Sequence, residues 1–151
     1  MGPNVMFRGT HTTRLDEKGR LKVPADFKRQ IDENYGVQFY ITSRTGTVAE
    51  VYPMQEWEEI ERKLAAAPDS HPVKKKFLKV TNFYGQVVEM DGQGRLLLPA
   101  ALRDTAKLKG EVAVMGSLKH LLVRNAEELR KEIAAEPFTE EDDASLSSLG
   151  I

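Results

Sequence analysis

The sequence predicts an α+β protein with a mainly β core, built as two related halves joined by helices. Three observations carry this expectation. The stretch Asp16 to Ala25 recurs as Asp91 to Ala100, with six of ten positions identical and a constant offset of 75, which is the mark of a duplicated structural unit. Around each copy lie short runs rich in β-branched and aromatic residues, the composition of strands. Between the copies, apolar residues fall at helical spacing.

In the first unit, residues 7–53, the Thr-rich segment Phe7 to Leu15 is expected to be a strand. Asp16 to Gly19 is a turn, because Asp at its first position accepts a hydrogen bond from the backbone two residues on and Gly19 tolerates positive φ. Arg20 to Val23 then alternates with period two, sending Leu21 and Val23 inward and Arg20 and Lys22 outward. Pro24 has φ already suited to a helix and opens a short one over Ala25 to Ile31. Val37 to Thr42 and Val48 to Tyr52 are two further strands, joined by the loop Ser43 to Gly46.

The connecting segment, residues 54–84, is expected to be a helical hairpin. Pro53 opens Met54 to Ala67, where Trp57, Ile60 and Leu64 share one face, and Trp57 serves as a core anchor rather than a base-stacking residue. Pro68 to Pro72 breaks that helix, and Val73, Phe77, Val80 and Tyr84 form the stripe of the next. The second unit, residues 86–135, repeats the order: strand Gln86 to Met90, turn Asp91 to Gly94, strand Arg95 to Leu98, helix from Pro99, strands Glu111 to Met115 and His120 to Arg124. Asn125, with Glu128 three residues on, caps a last helix whose apolar face is Leu129 and Ile133. Leu97 stands where the first copy has Lys22, so the second copy is expected to be the less basic and more buried. Residues 136–151 are acidic and Ser-rich and are expected to be disordered.

A chain of 151 residues, 40% hydrophobic and 30% charged, has the balance of a soluble globular protein. No run reaches the roughly 18 apolar residues of a membrane helix, and neither a secretory signal nor a myristoylation pattern is expected at the N-terminus. The absence of cysteine excludes disulfides and thiolate metal sites and fits a reducing cytoplasm. A net charge of −1 hides an asymmetry: residues 7–30 hold seven Lys or Arg against three acids, while residues 136–151 hold five acids and no Lys or Arg. A basic arm suits a polyanion partner, and a solvated face is the plainer account of the same charges.

His11, His71 and His120 are scattered without metal-ligand spacing, and no phosphate loop or dinucleotide fingerprint is present. Neither metal nor cofactor is therefore expected. Asp16 and Asp91 could meet as a carboxylate dyad across a two-fold, the only support for an enzyme, but both are better explained as turn formers. Arg20 and Arg95 each follow a tight turn, with an Asp placed to orient the guanidinium. The pair could simply staple the hairpin. A staple needs no further cations, however, and Arg14, Lys18 and Lys22 surround Arg20. Planar Arg groups on a β-hairpin can enter a groove and pair bidentately with guanine or phosphate.

Phe7-Arg8-Gly9, then Leu15-Asp16-x-x-Gly19-Arg20-Leu21-x-Val23-Pro24, then Tyr52-Pro53 with Trp57, then Met90-Asp91-x-x-Gly94-Arg95-Leu96, occur in an order that is specific. From Phe7 to about Ile133 the chain resembles the MraZ family of duplicated bacterial regulators, whose halves are similar to the AbrB and SpoVT swapped-hairpin domains. The resemblance implies two AbrB-like halves interleaved through pseudo-two-fold symmetry into a double-split β-barrel. It implies sequence-specific binding to double-stranded DNA at the promoter of the cell division and cell wall gene cluster, usually as a repressor, in a cytoplasmic and nucleoid-associated protein. It also implies assembly into a ring-like homo-oligomer. The family's Asp-x-x-x-Arg motif falls on Asp16 and Arg20 and on Asp91 and Arg95; Arg14, Lys18 and Lys22 join them from the charge pattern. Two departures are Leu97, apolar where the first copy has Lys22, and the extra residues Met1 to Val5. A protein-interaction scaffold, its basic arm neutralised by a neighbour's acidic tail, is the alternative.

Overall fold

The computed structural model describes residues 5–151. Each half supplies four strands and one short helix, but the strands pair largely with the other half. The first half contains β1 (Thr10–Arg14), β2 (Arg20–Lys22), α1 (Ala25–Asn34), β3 (Gln38–Thr42) and β4 (Ala49–Pro53). Helices α2 (Met54–Ala66) and α3 (Pro72–Phe83) follow, then β5 (Gln86–Glu89), β6 (Arg95–Leu97), α4 (Ala100–Thr105), β7 (Glu111–Ser117), β8 (His120–Asn125) and α5 (Ala126–Ala135).

A six-stranded antiparallel sheet runs β1-β7-β8-β4-β3-β5, and a separate two-stranded ribbon joins β2 to β6. Both are symmetric about one pseudo-two-fold: β1 and β5 are the equivalent edges, β4 and β8 the equivalent centre, and β2 pairs with its own counterpart. The ribbon belongs to neither half alone. Its inward side chains, Leu21, Leu96 and Leu98, have no exposure and pack in one core with Phe27, Ile31, Ile41, Val51, Leu102, Val112, Val114 and Val123 from both halves. Burying each such side chain contributes about 1.5–3 kcal/mol, so the core itself holds the halves together. Val5, counted above with the extra N-terminal residues, is part of this core at 3% exposure; Met1 to Asn4 lie outside the described residues.

Trp57 is buried, stacked on Tyr40 with ring centroids 4.7 Å apart, and Phe77 stacks with it at 6.2 Å. That aromatic cluster fastens α2 and α3 to the outer face of the sheet. The expected stripe on α3 is only partly covered: Val73 is 62% exposed, and the buried residue is Thr81. The helix is held instead through the Thr81 carbonyl, which accepts from Tyr40 OH at 3.0 Å and Thr42 Oγ1 at 2.6 Å. Beside it the buried Glu50 carboxylate is satisfied by Arg44 Nε at 3.2 Å and Tyr52 OH at 3.0 Å, as a buried charge requires; burial and the nearby carboxylate push the Tyr52 hydroxyl up to about 12.

At the C-terminus, Asn125 Oδ1 accepts from Glu128 N at 3.0 Å, capping α5, although Ile133 on that helix is 60% exposed. The tail differs from the expectation of disorder. It forms α6 (Glu140–Ser145) and a 3₁₀ turn, Leu146–Leu149. A capping box between Thr139 and Asp142 starts α6, and four acids in its first turn lie where the helix dipole favours negative charge. None of its residues is buried, so this order is local.

Candidate nucleic-acid interface

The two copies of the turn are built by the same bonds. Asp16 Oδ1 accepts from the backbone N–H of Lys18 at 3.0 Å and of Arg20 at 2.9 Å, and Asp16 Oδ2 accepts from Arg20 Nε at 2.6 Å. Asp91 accepts from Gln93 N and Arg95 N, each at 2.9 Å, and from Arg95 Nε at 2.8 Å. In both turns the Asp N–H donates to the Arg carbonyl at 3.0 Å, and the glycine N–H donates to the Asp carbonyl at 3.0 Å. Each carboxylate therefore forms the turn and aims the arginine with the same two oxygens. The backbone N–H donors, foremost that of Arg95, hold the Asp91 carboxyl down to about 2, and the same arrangement lowers Asp16. Both stay ionised at neutral pH.

Because each Asp engages Nε, the terminal Nη groups of Arg20 and Arg95 are left with no protein partner among the described residues, on side chains 28% and 27% exposed. This is the edge a guanidinium uses for bidentate pairing. Antiparallel register sets their neighbours: Arg20 lies opposite Leu97, Leu21 opposite Leu96, and Lys22 opposite Arg95. Period-two alternation puts Arg20, Lys22, Arg95 and Leu97 on one outward face. Each turn is stitched to the end of the opposite strand, Val23 N donating to Gly94 O at 2.9 Å and Leu98 N donating to Gly19 O at 3.1 Å.

The structure thus brings together five of the seven residues singled out from sequence, Asp16, Arg20, Lys22, Asp91 and Arg95, and places the other two at the flank. Lys18 is exposed at the apex of the first turn. Arg14 is on β1, in register with Glu111 of β7, and lines a cleft of about 440 Å³ with Asp16, Glu17, Arg103 and Lys109. One expectation needs revision. Lys22 neighbours Arg20 along the chain, but across the ribbon it faces Arg95, and the apolar Leu97 faces Arg20. The second strand is also no more buried than the first: β2 and β6 share one pattern, half-buried, buried, exposed, with Leu97 itself 49% exposed.

Two supporting residues were missed in the sequence. Gly19 has φ +84° and Gly94 has φ +76°, and each is covered by a long basic side chain from the other half. A Cβ on Gly19 would lie 2.3 Å from Arg103 Nη1, and one on Gly94 would lie 2.7 Å from Lys28 Cε. Arg103 is locked there by donating Nε to Leu98 O at 3.0 Å, whereas Lys28 reaches on to Asp32 at 2.6 Å. The signal was present, since Lys28 and Arg103 are themselves 75 apart and both basic.

Among the described residues no group of three or more His, Asp or Glu is placed to hold a metal ion, and no helix is long and apolar enough to cross a membrane. The model of the family described as "MraZ protein, putative antitoxin-like" matches residues 6–80 and again residues 85–148, one match on each half. A protein of Koribacter versatilis named "Transcriptional regulator MraZ" is 60% identical over 147 residues, 97% of this chain and 100% of that relative. One of the same name from Acidobacterium capsulatum is 56% identical over 146 residues, 97% of this chain and 100% of its own length. Another, from Moorella thermoacetica, is 40% identical over 111 residues, 74% of this chain and 75% of the relative. With a match on both halves and identity sustained over almost the whole length, the chain belongs to the MraZ family.

Proposed function

We propose that this protein is a sequence-specific, DNA-binding transcriptional regulator that lays the outward face of the β2–β6 ribbon in a groove of the duplex. The observation that carries the reading is the pair of arginines held at Nε by Asp16 and Asp91 with their Nη edges free. A two-stranded ribbon fits the B-DNA major groove, about 12 Å wide, where bidentate Arg contacts to guanine are the commonest specific pairing. Lys22, on the same face, and Lys18 and Arg14 at the flank would meet phosphates. The relatives named as transcriptional regulators support a regulatory role; the action we propose is the one the family resemblance implies, repression at the promoter of the cell division and cell wall gene cluster.

Each ribbon offers only a few contacts, and the chain is close to neutral. Several ribbons on one homo-oligomer would act at high effective concentration and bind tightly without any one being strong. Large exposed apolar side chains, Phe83 at 73%, Val73 at 62% and Leu118 at 70%, are candidates for the contacts between subunits of such a ring.

Selection of bound duplexes from a random pool tests the reading. The wild type is expected to enrich a regularly spaced repeat, and Arg20→Ala to enrich nothing while keeping fold and assembly. Retention without sequence preference would favour the interaction scaffold, and wild-type enrichment by Arg20→Ala would place the grip elsewhere.

A further inference from the structure

The outward face of the ribbon holds three cations and one leucine. Leu97 is 49% exposed, although Leu96 and Leu98 on either side have no exposure and already fill the inward positions of β6 and its exit. The core has no need of it. Across the ribbon it lies directly opposite Arg20, where cross-strand Cβ atoms are about 4.5–5.5 Å apart. That cross-strand separation is about one to two base-pair steps of about 3.4 Å each. Leu97 therefore reaches a base edge within about two steps of the one that meets Arg20. A leucine there can neither pair with phosphate nor satisfy the donors and acceptors of a base edge, and it would leave them desolvated. The apolar group that a base pair presents in the major groove is the thymine 5-methyl.

We propose that Leu97 is a specificity-determining residue that packs on the 5-methyl of a thymine beside the group gripped by Arg20. This rests on the DNA-binding reading above. It also breaks the pseudo-two-fold at the reading face, because the other end of the ribbon pairs Arg95 with Lys22 and has no apolar contact. A symmetric scaffold thereby reads an asymmetric element.

The test uses the full chain and a duplex selected by it from a random pool, with each fixed thymine replaced singly by deoxyuridine, which removes only the methyl. The wild type is expected to lose affinity about fourfold at one position of the element, the worth of one buried methyl group. Leu97→Ala should be indifferent to that replacement and still be disabled by adding Arg20→Ala. Equal uracil sensitivity in wild type and Leu97→Ala overturns the role of Leu97, as does a wild type indifferent to every replacement. A wild type that selects no sequence at all overturns the DNA-binding reading itself, which separates the two failures.

Discussion

Asp16 and Asp91 grip their arginines with the same three bonds, yet across the ribbon Arg20 meets Leu97 while Arg95 meets Lys22. The same backbone thus carries two chemistries, one end cationic and apolar, the other doubly cationic. Their difference shows that position along the chain is a poor guide to neighbours in a swapped fold. Counted by sequence, Lys22 reinforces Arg20; counted by strand register, it reinforces Arg95. The support beneath the turns differs in the same way, a planar guanidinium under Gly19 and a flexible lysine stem under Gly94.

The largest expected effect separates the two ends directly. Arg20→Ala leaves only Leu97 on the outward strand face at its end, beside the flanking Lys18, and should weaken binding to a selected duplex about 100-fold, whereas Arg95→Ala leaves Lys22 in place on that face and should cost about 10-fold, both within the range for bidentate base contacts. Equal losses in a fluorescence anisotropy titration would remove the distinction. Neither change should alter unfolding free energy by more than about 1 kcal/mol, as for other part-exposed ion pairs.

Next come the turn glycines. Gly19→Ala and Gly94→Ala each force a left-handed backbone on an alanine at about 1–2 kcal/mol. Gly19→Ala should be the worse in urea unfolding, because Arg103 cannot move without giving up its bond to Leu98 O, whereas the Lys28 stem can rotate. The reverse order would mean that the lysine–Asp32 pair, not the arginine, is the tighter clamp.

The smallest effect is on titration. A carboxyl lowered in the folded state contributes stability above its unfolded value of about 3.9 and loses it as pH falls through the folded value, here about 2 for Asp91 and also lowered for Asp16. Turn geometry should accordingly hold from pH 8 to about 4 and fail only in stronger acid. Carbon-detected NMR of the Asp carboxyls should show Arg95→Ala raising the Asp91 midpoint, with the Asp16 midpoint unmoved.

Much of this was legible from local chemistry. The Asp-to-Gly turns, the inward Leu21 and Val23, the proline-led helices and the Asn125 cap depend on near neighbours, and each formed as the residues suggest. The candidate site was legible to the same depth, down to the Asp–Arg pairs. What escaped depends on distant partners. No periodicity shows that β2 pairs with β6, that Arg103 and Lys28 cover the opposite turns, or that Thr81 fastens α3 through its carbonyl. The tail escaped for the opposite reason, because a composition that cannot build a core can still start a short helix when a capping box and four N-terminal acids coincide.

The cross-half ribbon also sets an order of events during synthesis. Strand β2 finds its partner only in residues 95–97, and β1 only in residues 111–115. Until residues 95–103, early in the second half, have left the ribosome, the first half carries its arginine turn on an unpaired strand, and the turn glycine lacks the Arg103 side chain. Such long-range closures make for slow folding, but here they also mean that the outward face of the ribbon cannot be made by the first half alone and comes into being only as the second half emerges.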